Sequence, residues 1–95
     1  MDVTVRFSGP LRALAGHPSL TLSLADGATL RDLFSTLRDL VLPLFVEQVL
    51  TPFEADNPPL ALILLNRTHL RASTEMDRSL AGGDVIAFVP PMAGG

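Results

Sequence analysis

The chain opens on strict alternation: Val3, Val5 and Phe7 are interleaved with Asp2, Thr4, Arg6 and Ser8. A period of two marks a strand with one face buried. Gly9-Pro10 breaks the pattern, and residues 11–15 read as a short helical turn closed by Gly16 and Pro18. Alternation resumes with Leu20, Leu22 and Leu24 inward and Thr21 and Ser23 outward, which predicts a hairpin with a wide loop. Asp26-Gly27 ends it. Thr29 has the character of an N-cap with Asp32 in the capping-box position. Leu30, Leu33, Phe34, Leu37, Leu40 and Val41 then recur at helical spacing. The predicted helix covers 30–41 and is stopped or kinked at Pro43.

Residues 44–50 admit two further turns of helix, and 52–59, with three prolines, read as a surface loop. Residues 60–65 are uninterruptedly apolar. Such a run suits a strand covered on both faces, although periodicity alone does not exclude buried helix. Part of it is alternatively an exposed docking patch. Asn66-Arg67 turns into a short strand over 68–70, and Gly82-Gly83-Asp84 turns into a final strand over 85–89. The order β-β-α-β-β-β predicts an α+β fold of the β-grasp, ubiquitin-like kind. In it a mixed sheet of four to five strands packs on one main helix, with the last strand beside the first. One domain over 1–95 is expected, with a flexible tail at 90–95.

Composition narrows the functional classes. A hydrophobic content of 47% with 18% charged residues is that of a folded chain. The net charge is −3 and all seven basic residues are Arg, scattered rather than clustered, which argues against nucleic acid and anionic membrane. There is no cysteine, hence no disulfide framework, thiolate metal site or cysteine nucleophile. No apolar stretch approaches the ~18 residues of a membrane span, and no secretory leader pattern opens the chain. The expectation is a cytoplasmic protein. His17 and His69 have no ligand partner at metal spacing, and Asp84 reads as a residue shaping the turn before the last strand.

The unusual feature is the end, Pro90-Pro91-Met92-Ala93-Gly94-Gly95. Two prolines lack donors and fix φ, so the chain must leave the sheet extended. Stretched, six residues reach roughly 20 Å. The glycines give a thin tip that fits a narrow channel. From Gly83-Asp84 through the apolar strand to Gly94-Gly95, this end resembles the C-terminal signature of the MoaD/ThiS sulfur-carrier family. Within that family it is most similar to the small-subunit branch of molybdopterin synthase. The resemblance extends to Phe7-Ser8-Gly9, Leu11-Arg12, Gly16, the start of the helix at 27–33 and Leu65-Asn66. It leaves out 42–59, and Gly82 and Val89 depart from the molybdopterin branch.

The resemblance implies a chemistry. An E1-like adenylating enzyme of the MoeB/ThiF type would use ATP to activate the Gly95 carboxylate, and a sulfur donor would then displace AMP to leave a thiocarboxylate. Gly95 is then the reacting residue, and Phe88, Pro90, Pro91, Met92, Ala93 and Gly94 meet the partner. A further implied partner is the large subunit of molybdopterin synthase, which would use the sulfur in molybdenum cofactor biosynthesis. No bound cofactor is implied, the ATP being used by the activating partner, and the chain is not an enzyme alone. Other classes remain open: a carrier for thiamine, cysteine or transfer-RNA thiolation, a modifier conjugated through Gly95, or an interaction module with an inert tail.

Overall fold

A computed structural model describes residues 1–71 and 73–91. Strands β1 (Asp2–Phe7), β2 (Ser19–Ser23), β3 (Leu62–Leu65), β4 (Thr68–Leu70) and β5 (Val85–Val89) form one sheet in the order β2-β1-β5-β3-β4. The β1–β5 pair is parallel and the other pairs are antiparallel. The first and last strands therefore lie side by side in the centre, as the order of elements predicts. Helix α1 (Leu11–Ala15) fills the wide loop of the first hairpin, and α2 (Leu30–Arg38) is the main helix against the sheet.

The start of α2 follows its sequence signal. Thr29 Oγ1 accepts from the Asp32 N–H at 3.3 Å, and Asp32 Oδ2 accepts from the Thr29 N–H at 2.9 Å. That reciprocal pair satisfies two of the donors a helix N-terminus leaves over, and its loss costs about 1 kcal/mol. Leu30, Leu33, Phe34 and Leu37 are buried. The helix ends at Arg38, short of the expected Val41. Leu40 N–H bonds back to Leu37 C=O, and Leu42 N–H is drawn to Ala15 C=O, 3.0 Å away at the end of α1. The His17 Nε2–H donates to Leu40 C=O at 2.9 Å, taking up a carbonyl the helix has released. Leu40 is accordingly exposed, although it continues the helical spacing.

Pro43 begins a helix instead of ending one. A continuous helical run comprises α3 (Pro43–Phe45), a π-helical turn (Val46–Leu50) and α4 (Thr51–Glu54). The expected loop over 52–59 is thus partly helix, and Phe53 is buried against Phe34. The π turn has an identifiable cause. Pro52 has no N–H to give to Gln48 C=O, and its ring would crowd that carbonyl in regular helix. Thr51 N–H bonds instead to Val46 C=O, five residues back. The released Gln48 C=O accepts from Leu60 N–H at 3.0 Å.

The five phenylalanines form one cluster. Phe88 lies 5.7 Å from Phe7, 5.0 Å from Phe45 and 6.2 Å from Phe34, centroid to centroid, and Phe34 is 5.8 Å from Phe53. Sheet, main helix and π-containing helix share this core. No polar or charged side chain is buried among the described residues.

Candidate functional site

The candidate site is the end of β5 and what surrounds its exit. Ile86 and Phe88 point into the core, while Val85, Ala87 and Val89 are half-buried on the open face of the sheet. In β3, Ile63 and Leu65 are buried, whereas Leu62 and Leu64 are half-buried and pair with Val89 and Ala87. The apolar run at 60–65 is therefore not covered on both faces. Its inner positions complete the core, and its outer ones extend an apolar strip along β5 to the first residue of the tail. Arg6 borders the strip opposite Ala87, and His69 borders it opposite Leu64.

Phe88, expected to meet the partner, is in the core instead and fully buried. It shares the inward face with Ile86, which the uniformly apolar stretch 85–89 does not reveal. Pro90 is half-buried and Pro91 exposed. Pro91 stands between two surface hollows. One is lined by Pro10, Leu11, Leu14, Leu60 and Pro90, and the other includes Phe53, Pro59, Leu62, His69 and Arg71. Met92, Ala93, Gly94 and Gly95 lie outside the described residues.

The turns that aim β5 are tightly bonded. Asn66, at φ 56°, receives Val85 N–H on Oδ1 at 3.0 Å and donates from Nδ2 to Asp84 Oδ1 at 3.2 Å. Asp84 Oδ2 accepts from Ala81 N–H at 2.8 Å. Both Asp84 oxygens are occupied in shaping the entry to the last strand, as the sequence suggests. A further carboxylate, which sequence reasoning passed over, braces the far side. Asp56, at φ 58°, accepts from the Ser73 N–H at 2.8 Å and the Ser73 hydroxyl at 2.7 Å. The backbone donor, followed by the hydroxyl, holds its carboxyl below the ordinary value of 3.8.

Three ion pairs, Arg31–Asp77, Arg38–Glu54 and Arg78–Glu75, occupy the helical side. Among the described residues Arg6, Arg67 and Arg71, on the sheet side, have no such partner. No group of three or more metal-ligating side chains occurs among them either. No helix of the described chain is long and apolar enough to cross a membrane. The described residues offer an apolar surface along β3 and β5 and, at Pro90-Pro91, the root of the tail.

A five-stranded mixed sheet with parallel first and last strands, crossed by one main helix, defines a ubiquitin-like β-grasp protein. The chain belongs to the ThiS family, whose model matches residues 5–95, a family of ubiquitin-like sulfur carriers and modifiers. Among solved structures it is similar to a protein described as a putative molybdopterin converting factor subunit 1 from Pyrococcus furiosus. That likeness has 27% identity and a TM-score of 0.73, covering 96% of this chain and 98% of that one. It is also similar to small archaeal modifier protein 1 from Methanosarcina acetivorans, at 28% identity and a TM-score of 0.69, covering 99% and 96%. A third neighbour comes from a complex of subunits 1 and 2 of molybdopterin-converting factor from Helicobacter pylori. At 24% identity, full coverage of both chains and a TM-score of 0.65, it shares the fold. Among curated protein sequences none matches significantly.

Proposed function

We propose that this protein is a sulfur carrier whose Gly95 carboxylate is activated and converted to a thiocarboxylate. The observation that carries the reading is the continuity of strand, prolines and glycines. The central strand β5 delivers Pro90-Pro91 to the rim of an apolar sheet face, and the sequence beyond ends in Gly94-Gly95. A carboxylate is a poor electrophile, so it needs a good leaving group. An E1-like adenylating partner would supply one by joining the Gly95 carboxylate to the AMP of ATP, with release of pyrophosphate. A hydrosulfide equivalent then attacks the acyl carbon and AMP departs with the C–O electron pair. This chain's part is to be held and threaded. The body docks through the strip Leu62, Leu64, Ala87 and Val89, Pro90-Pro91 keeps the end extended, and the glycines pass where a side chain would not.

The receiving partner that fits best is the large subunit of molybdopterin synthase, with sulfur passed to a pterin precursor. The similarity to a protein described as a putative molybdopterin converting factor subunit supports this choice. Deletion of Gly94 and Gly95 should abolish sulfur delivery and leave the unfolding transition unchanged. Delivery by the truncated protein would refute the reading. The likeness to a small archaeal modifier favours a second reading, conjugation through Gly95 to lysines of other proteins. Higher-mass species carrying this chain in cell extracts, removed by the same deletion, would support it.

A further inference from the structure

The turn beneath the tail is built around a missing Cβ. Gly9 sits at φ +57°, and a Cβ there would lie 3.2 Å from Pro90 Cγ and 3.9 Å from Pro90 Cδ. The bond from Ser8 N–H to Phe88 C=O, 3.0 Å, closes the contact between the two central strands. Gly9 and Pro90 are thus among the first residues beyond the ladder, where the chains part. Pro10, Leu11, Leu14 and Leu60 complete an apolar cradle of about 250 Å³ around the two prolines. One wall of the cradle is set from a distance. Leu60 is held by the Gln48 carbonyl that Pro52 leaves unbonded. The proline ring fixes φ at residues 90 and 91, so a direction chosen at the root is carried outward instead of being lost to free rotation.

We propose that Gly9 is a positioning residue: its bare Cα seats Pro90 and, with Leu60, sets the direction in which the tail leaves the sheet. The inference rests on the reading of the tail as the reacting segment. A Cβ at Gly9 would push the Pro90 ring by a few tenths of an ångström and re-aim everything beyond it. The docking strip on the sheet face is left alone, so binding of the body is unaffected and delivery of Gly95 is not.

The test is ATP–pyrophosphate exchange by the purified cognate adenylating enzyme, with this protein as the varied substrate. Misplacement by ~1 Å costs about a hundredfold in rate, so Gly9→Ala should lower kcat about tenfold at unchanged KM. Gly27→Ala is the matched control. Its φ is +83° with nothing within 4 Å of the added Cβ, so it carries the same backbone strain without the contact. It should keep wild-type kcat. In a Pro90→Ala background there is no ring to strike, so adding Gly9→Ala should cost little more. Equal losses in both backgrounds, or an unchanged kcat, would overturn the seat while leaving the carrier reading intact. Failure of the wild-type protein to support exchange would overturn the carrier reading itself. Nuclear Overhauser contact between Gly9 Hα and the Pro90 ring in the free protein should be clear, and its absence would also overturn the seat.

Discussion

Truncating Phe88 tests the boundary between the core of this protein and its C-terminal tail. The ring is fully buried and has Phe7, Phe34 and Phe45 within 6.2 Å. Phe→Ala in a packed core costs about 3–5 kcal/mol, as lost transfer energy plus the cavity that remains. Three ring partners belong at the upper part of that range, since each aromatic pair contributes roughly 0.5–1.5 kcal/mol beyond area. A domain of this length holds on the order of 5–14 kcal/mol in all. Phe88→Ala therefore removes about 4 kcal/mol and leaves a marginal fold. With a urea slope of about 1.5 kcal/mol per molar, the midpoint falls by ~2–3 M. Val89→Ala, one residue on but half-buried on the open face, should cost below ~1 kcal/mol and weaken partner docking instead. Urea unfolding followed by circular dichroism distinguishes them. A loss under ~1 kcal/mol for Phe88→Ala, with the slope unchanged, would refute the core assignment.

Three other outcomes follow from the geometry. Gly16→Ala should cost more than Gly27→Ala, because both sit at positive φ but only a Cβ at Gly16 meets Leu42 Cγ, at 3.0 Å. The shared part is ~1–2 kcal/mol, and equal urea midpoints would remove the Leu42 contact from the account. Pro52→Ala restores an N–H that competes for Gln48 C=O. Exchange of the Leu60 amide should accelerate while that of Ile63 does not, and an equally protected Leu60 amide would contradict the cause given for the π turn. Asp56 has its pKa lowered by Ser73. Its contribution to stability is complete above the unfolded value near 3.8 and is lost as pH falls through the lower folded value. Asp56→Asn should flatten the acid limb of a stability–pH profile; an unaltered limb would deny the bond its role.

The alternation of β1 and β2 and the Thr29/Asp32 capping box carried most of the fold, because these signals are local and few residues are needed to read them. What escaped was set by distant partners. Leu40 and Val41 continue the helical spacing, but Ala15 C=O and the His17 ring take the backbone elsewhere. Pro52 reads as loop because a proline inside a helix forfeits a bond. That Leu60 N–H would use the orphaned carbonyl is a tertiary fact no local pattern holds. Of the candidate site, the end of the last strand at Val89 was legible from the two prolines that follow it, and the patch only as one of two alternatives for the run at 60–65. Gly9-Pro10 reads as a strand breaker; that it seats Pro90 depends on the parallel pairing of the first and last strands.

The central claim is that Gly95 carries sulfur. Its most direct test is intact mass of the untagged protein after incubation with ATP, the cognate adenylating enzyme and hydrosulfide. The account predicts a gain equal to one sulfur replacing one oxygen, mapped by fragmentation to Gly95 and absent without ATP. An unchanged mass, with the enzyme verified as active and the C-terminus intact, would contradict it.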